Sequence, residues 1–222
     1  MASSSTVPSK VVLLHYGDDP FKHKFVDLQG ADAFTMYKSS SMILIARGFN
    51  STRAVAANAH AQRLTDQLPP SLPPALQIPS DDPNKIVRLM REDTWAKQYP
   101  NTVMGPDKSH FFFGAEERPG VLEYGNNGIR IPMEYLLRAG KKEGSISRYF
   151  RAQSGKEFKW KVISTHRMEC QDLKHTTLAV WEVSPPDEEN FGRLTLRPAA
   201  LQMVTEILST LTLNRMAQAL GW

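Results

Sequence analysis

The chain is poor in cysteine, and that scarcity sets the first constraint: Cys170 is alone. One thiol cannot build an internal disulfide framework, and it fits a reducing compartment. No local His–Cys pattern accompanies it, so Cys170 reads as a buried, inert thiol. A secretory leader is not expected either. Met1 to Lys10 is Ser-rich and reads as frayed, and the apolar run Val11 to Leu14 is broken by His15 and Asp18. A basic start, a long apolar stretch and a cleavage site are all lacking, which points to a cytoplasmic or other intracellular setting rather than secretion.

Chemical signatures are equally sparse. The sequence contains no Gly-x-Ser-x-Gly elbow, no Walker-type phosphate loop, no dinucleotide fingerprint and no His-Glu-x-x-His pair. His15, His23, His60, His110, His166 and His175 are scattered without metal-ligand spacing. No metal and no cofactor are therefore expected. No fixed-period repeat is visible, which argues against a propeller or solenoid. No polar linker divides the 222 residues, so a single domain spanning 1–222 is expected.

What is present begins with 15 prolines and a globular balance of 41% hydrophobic and 23% charged residues. The formal net charge is only +4, but it is unevenly spread. Between Arg138 and Lys161 lie Arg138, Lys141, Lys142, Arg148, Arg151, Lys156, Lys159 and Lys161, opposed by Glu143 and Glu157 alone. That window could face anionic headgroups, phosphorylated ligands or nucleic acid, although lysines also protect ordinary solvated strands. Nucleic acid ranks low, because the window carries no recognised motif and the overall charge is small.

Most of the chain has the alternation of strands. Phe25 to Leu28, a Gln29-Gly30 turn and Ala33 to Tyr37 form an expected hairpin. Met42 to Ala46 adds a short strand. Ser51 or Thr52 caps an expected helix to about Leu68, and six prolines from Pro69 to Pro83 make an extended connection. Residues 48–83 thus read as an insertion. Ile86 to Met90 resumes the strands, and the rings of Phe111 to Phe113 predict a strand covered on both faces. Ile129 to Ile131 and Tyr135 to Leu137 follow as apolar segments separated by Pro132. The clearest hairpin is Tyr149 to Ala152, Ser154-Gly155 and Glu157 to Val162, with Phe158, Trp160 and Val162 on one face and Glu157, Lys159 and Lys161 on the other. Strands near Arg167 to Cys170, Thr176 to Val183 and Gly192 to Leu196 complete a meander.

Arg197 to Leu220 then reads as one long helix, with Pro198 at its start. Leu201, Val204, Leu208 and Leu211 form one apolar row, and Ala200, Met203, Ile207 and Met216 form another. The polar side, Gln202, Thr205, Glu206 and Ser209, is narrow. Glu206, Asn214 and Arg215 interrupt the helix too strongly for a membrane span, which needs about 20 predominantly apolar residues. A single Arg is too little for an interfacial helix of the basic kind. The strands of the same chain are left as the enclosure, in an antiparallel sheet closing around the helix at 198–220.

The runs Arg130-Ile131-Pro132-Met133-Glu134-Tyr135-Leu136-Leu137, Arg148-Tyr149-Phe150, Ser154-Gly155-Lys156-Glu157-Phe158-Lys159-Trp160-Lys161-Val162 and Gly192-Arg193-Leu194-Thr195-Leu196, with Asp19-Pro20-Phe21 near the start, form a further pattern. Together they resemble an uncharacterised domain family of mushroom-forming fungi. Such domains look like relatives of the tubby, scramblase and LURP-one group. The resemblance implies a mainly β fold, a tubby-like antiparallel β-barrel closed around a hydrophobic C-terminal helix, here with an inserted helix and a proline-rich loop.

Three functions follow as expectations. A soluble intracellular binding module would present Arg148, Arg151, Lys156, Lys159 and Lys161 to a lipid, an anionic headgroup or a lipophilic small molecule. A cofactor-free cyclase or isomerase would draw its acid or base from Glu92, Asp93, His110 or Tyr99, beside a pocket lined by Trp95, Phe111 and Phe113. A structural or partner-binding domain is the third.

Overall fold

The computed structural model describes residues 9–38, 86–140 and 145–222. The expected strand at 42–46 and the insertion at 48–83 lie outside the described residues. The described chain forms one antiparallel sheet of 13 strands. β1 (Val11–Tyr16), β2 (His23–Asp27), β3 (Asp32–Lys38), β4 (Ile86–Arg91), β5 (Lys108–Phe112), β6 (Val121–Tyr124) and β7 (Arg130–Pro132) make one wing. β8 (Arg138–Ala139), β9 (Arg148–Arg151), β10 (Glu157–Ser164), β11 (Arg167–Asp172), β12 (Thr177–Val183) and β13 (Gly192–Leu196) make the other. The spatial order is β7-β6-β5-β4-β3-β2-β1-β13-β12-β11-β10-β9-β8, so the first and last strands of the chain pair at its middle.

Period-two patterning puts one face of this sheet inside. In β1, Val11, Leu13 and His15 are buried while Val12, Leu14 and Tyr16 are half-buried. The β9–β10 hairpin forms as its alternation predicts, with Gly155 at φ +80 supplying the turn geometry that a Cβ would disfavour. Phe111 and Phe113 are also inside, but Phe112 is on the outer face, where the Arg130 guanidinium lies 4.9 Å from its ring centre. The strand is therefore enclosed on one side, and a cation–π contact partly covers the other. Tyr135 also departs from expectation: Met133–Leu136 forms a one-turn helix, because Pro132 ends β7 and the chain must turn back.

Among the described residues four α-helical segments accompany the sheet: α1 (Asp93–Ala96), α2 (Met133–Leu136), α3 (Pro198–Leu201) and α4 (Val204–Leu220). The expected single helix over 198–220 is thus two. Met203, at φ −134 and ψ 28, breaks the helical path between α3 and α4. α4 is buried all round from Val204 to Ala217, so its polar side faces protein instead of solvent. Its contacts reach both wings: Ser109 of β5, Trp160 of β10, His15 of β1 and His23 of β2 all meet its side chains. The sheet is not closed, however, since β7 and β8 each end it without pairing to the other. Among the described residues no helix is long and apolar enough to cross a membrane.

Candidate functional site at the open seam

The two edge strands are consecutive in sequence, and α2 crosses the seam between them. Met133 and Leu136 are buried and anchor this turn, while Glu134 and Tyr135 are exposed. A depression lies on either side. The first, of about 440 Å³, is lined by Ile131, Tyr135, Leu136, Arg138, Arg151, Ala152 and Gln153. The second, of about 410 Å³, is lined by Pro119, Glu134, Leu137, Arg138, Ala139, Arg148, Ala217 and Trp222. Arg138 contributes to both.

The far wall of the second depression comes from the end of α4. Gly221, at φ +70, turns the chain in the left-handed region, and the N–H of Trp222 donates to the Ala217 carbonyl at 2.9 Å. This helix stop holds the Trp222 ring near Phe113, with centroids 6.1 Å apart. The floor of the first depression is tied to the other end of α4, where the N–H of Gln153 donates to Glu206 at 2.7 Å. Burial pushes the Glu206 carboxyl up from its ordinary value, and that backbone donor works against the shift.

Charge is distributed unequally among the three arginines of the seam. Arg138 pairs with Glu157 across the sheet. Arg148 and Arg151 make no ion pair and no side-chain hydrogen bond among the described residues. Toward the described residues, each guanidinium thus leaves its donors uncommitted. Each also stands beside apolar lining: Ile131 and Leu136 for Arg151, Leu137 and Trp222 for Arg148.

The five cations expected to share one face are divided. Arg148 is opposite Trp160 in the ladder and so takes the inner-face direction. Arg151, Lys159 and Lys161 take the outer direction, opposite Glu157, Tyr149 and Glu169, and Lys156 occupies the turn. The outer face is not purely basic, because Glu169 and Glu182 pair with Arg167. Lys159 Nζ lies 3.0 Å from His175 Nδ1.

The proposed acid–base residues are dispersed. Glu92 precedes α1 and accepts a hydrogen bond from the Thr35 hydroxyl at 3.4 Å, and Asp93 is exposed in α1. Tyr99 packs at a tilt against Trp95, and burial raises its phenol above the ordinary value. His110 sits on β5 between Arg88 and Glu123, where burial first and Arg88 second lower its pKa. None of the four lines either seam depression. Trp95, Phe111 and Phe113 are all members of the main core, with Trp95 packed on Phe34. Among the described residues no group of three or more His, Cys, Asp or Glu side chains could hold a metal ion. Cys170 is fully buried, and burial pushes its thiol up, as suits an inert side chain.

Sequence inspection missed Ile131, Tyr135, Leu136, Gln153 and Trp222 as lining residues. The available signal was local: Pro132 between two apolar segments marks a reversal, and Gly221 marks a helix stop. Compared with protein-family models, with curated proteins and with solved structures, the chain matches none.

Proposed function

We infer that this chain is a binding module whose seam takes an anionic amphiphile, a phosphate or carboxylate headgroup joined to an apolar chain. The observation that carries this is that each depression presents one arginine, Arg151 in the first and Arg148 in the second, with no partner among the described residues and with apolar lining beside it. A guanidinium fork binds such oxyanions bidentately, and an apolar wall next to it suits an attached chain. The interior is occupied by α4 and the buried side chains around it. On this view the sheet is the curled wall of a tubby-like barrel with α4 as its filling. The contacts of α4 with both wings and the resemblance of the Arg148–Val162 region to the fungal domain family support that view.

Titration with monomeric lysophosphatidic acid, against lysophosphatidylcholine as the neutral counterpart, tests the assignment. The acidic lipid is expected to bind selectively. Arg148→Ala or Arg151→Ala, whichever removes the arginine of the occupied depression, should weaken binding about tenfold, the scale of one charge-assisted hydrogen bond. Equal affinity for both lipids, or unchanged affinity in both variants, would sink it.

A further inference from the structure

The antiparallel order sends alternate connections to opposite ends of the sheet, and the two ends differ in chemistry. At the end where α4 begins, four large apolar side chains stand out at the tips of separate connections. They are Leu28 after β2, Met104 before β5, Ile129 before β7 and Leu173 after β11, with exposures of 62%, 54%, 57% and 61%. Single exposed apolar residues are ordinary, but four on separate turns at one end form a pattern. The exposed cations Lys10, Lys97, Lys156, Lys174 and Arg197 lie in the connections of that same end, against the exposed carboxylates Asp93 and Asp107.

The opposite end reverses the balance. Among the described residues its connections expose Asp18 and Asp19, then Glu116 and Glu117, then Asp187, Glu188 and Glu189, against Lys22 and Arg118, and one large apolar side chain, Ile146, against four at the other end. Among the described residues one end of the protein is therefore basic and richer in apolar tips, and the other is acidic. An anionic surface would orient it with the basic end inward, since cations are attracted within about a Debye length and carboxylates are repelled.

We propose that the chain docks end-on to anionic bilayers, with Leu28, Met104, Ile129 and Leu173 entering the interface and Lys10, Lys97, Lys156, Lys174 and Arg197 meeting lipid phosphates and carboxylates. A bilayer fits these observations better than a protein partner. The apolar side chains are spaced on separate turn tips instead of forming one flat patch, and a fluid interface accommodates separated insertions. The strand edges contribute nothing to this surface, so pairing with an added strand is not required. The proposal is independent of the seam, because only Leu28, Met104, Ile129, Leu173 and the connection lysines are needed.

Vesicle flotation of the full chain, with phosphatidylcholine vesicles and with vesicles rich in phosphatidylserine, gives the test. The expected result is partition to the acidic vesicles only, declining as salt is raised. Lys156→Gln and Lys174→Gln should each reduce partition about fivefold, the effect of one basic residue near an anionic surface. Leu28→Asp with Leu173→Asp should abolish it while far-UV circular dichroism and the melting temperature remain those of the parent. These sites are exposed turns, so loss of fold is not the expected cause. At the acidic end, Glu188→Gln should leave partition unchanged. Failure of the parent to bind acidic vesicles at low salt, or full binding by the folded double variant, would overturn the proposal. Arg148→Ala and Arg151→Ala separate the two ideas: the one that removes the arginine of the occupied depression should impair capture of monomeric lysophosphatidic acid, and both should leave the partition of the Leu28 and Leu173 tips intact.

Discussion

At the scale of single residues, the most constrained chemistry is buried beneath β1. His15 is inaccessible to solvent, and two donors approach its ring: Trp181 Nε1 reaches Nδ1 at 3.3 Å and Arg215 Nη1 reaches Nε2 at 3.1 Å. A neutral imidazole has one acceptor nitrogen, so it accepts from only one of them, and an imidazolium has none. Arg215 is held further by the Asp18 carbonyl at 2.6 Å and by the faces of Phe191 and Trp181. Burial lowers the His15 pKa well below its ordinary value, with His23 and Arg215 adding repulsion. His23 is lowered by burial and by Arg215 from 6.5 to about 4. The folded state therefore keeps both rings neutral where the unfolded chain would protonate them. Stability should be complete above the unfolded value near 6.5 and fall as pH drops towards about 4. The slope is at most about 1.4 kcal/mol per pH unit per group. Glu206 works in the opposite direction, because its raised pKa favours the folded state at low pH and that contribution is lost as pH rises through the carboxylate range. Thermal melts at pH 7 and pH 5 check the balance: the parent should melt lower at pH 5, and His23→Asn should show a smaller difference. An equal pH response in the variant would contradict the assignment to His23.

At the scale of elements, α4 accommodates its polar residues by bonding them to itself and to the sheet. The Ser209 hydroxyl donates to the Thr205 carbonyl, the Thr210 hydroxyl to the Glu206 carbonyl and the Asn214 amide to the Thr210 carbonyl, each four residues back. Thr205 donates to the Pro106 carbonyl, and Trp160 Nε1 donates to the Thr210 hydroxyl at 2.9 Å. These bonds let a helix with a mixed surface lie wholly inside, where an unpaired polar group would be costly. The apolar rows of α4 were legible in the sequence, but its narrow polar side did not predict solvent. What the spacing does not encode is where that polar side finds its partners: those of Ser209 and Thr210 are Ser109 and Trp160, far away in the chain. Leu208 has no such polar partner and is fully buried. Leu208→Asp should place an uncompensated charge in the core at a cost of about 4 kcal/mol or more, and circular dichroism should find no folded protein. A folded Leu208→Asp variant would remove α4 from the core.

At the scale of the whole molecule, β1 joins the two wings by pairing with β13 on one side and β2 on the other. Leu13 lies opposite Leu194 and Asp27, inside and without exposure, so it touches both wings. Leu13→Ala should cost about 2–5 kcal/mol, and tryptophan fluorescence and far-UV circular dichroism should still report one coincident unfolding transition. Two separated transitions would mean that the wings fold independently.

By itself the sequence determined the mainly β class, the β2–β3 and β9–β10 hairpins, the order of the C-terminal meander and the burial of the final helix. Each of these is written in local periodicity or turn chemistry: Phe158 and Trp160 alternate with Lys159 and Lys161, and Gly30 and Gly155 stand at the turns. Only the tertiary structure decided that β1 pairs with β13, that β7 and β8 leave an open seam, and that Arg148 and Arg151, at the two ends of one strand, point in different directions. Those outcomes depend on which strands meet across long stretches of chain. Pairing of that kind is settled by the packing of the whole sheet against α4, a free energy that no short window of sequence contains.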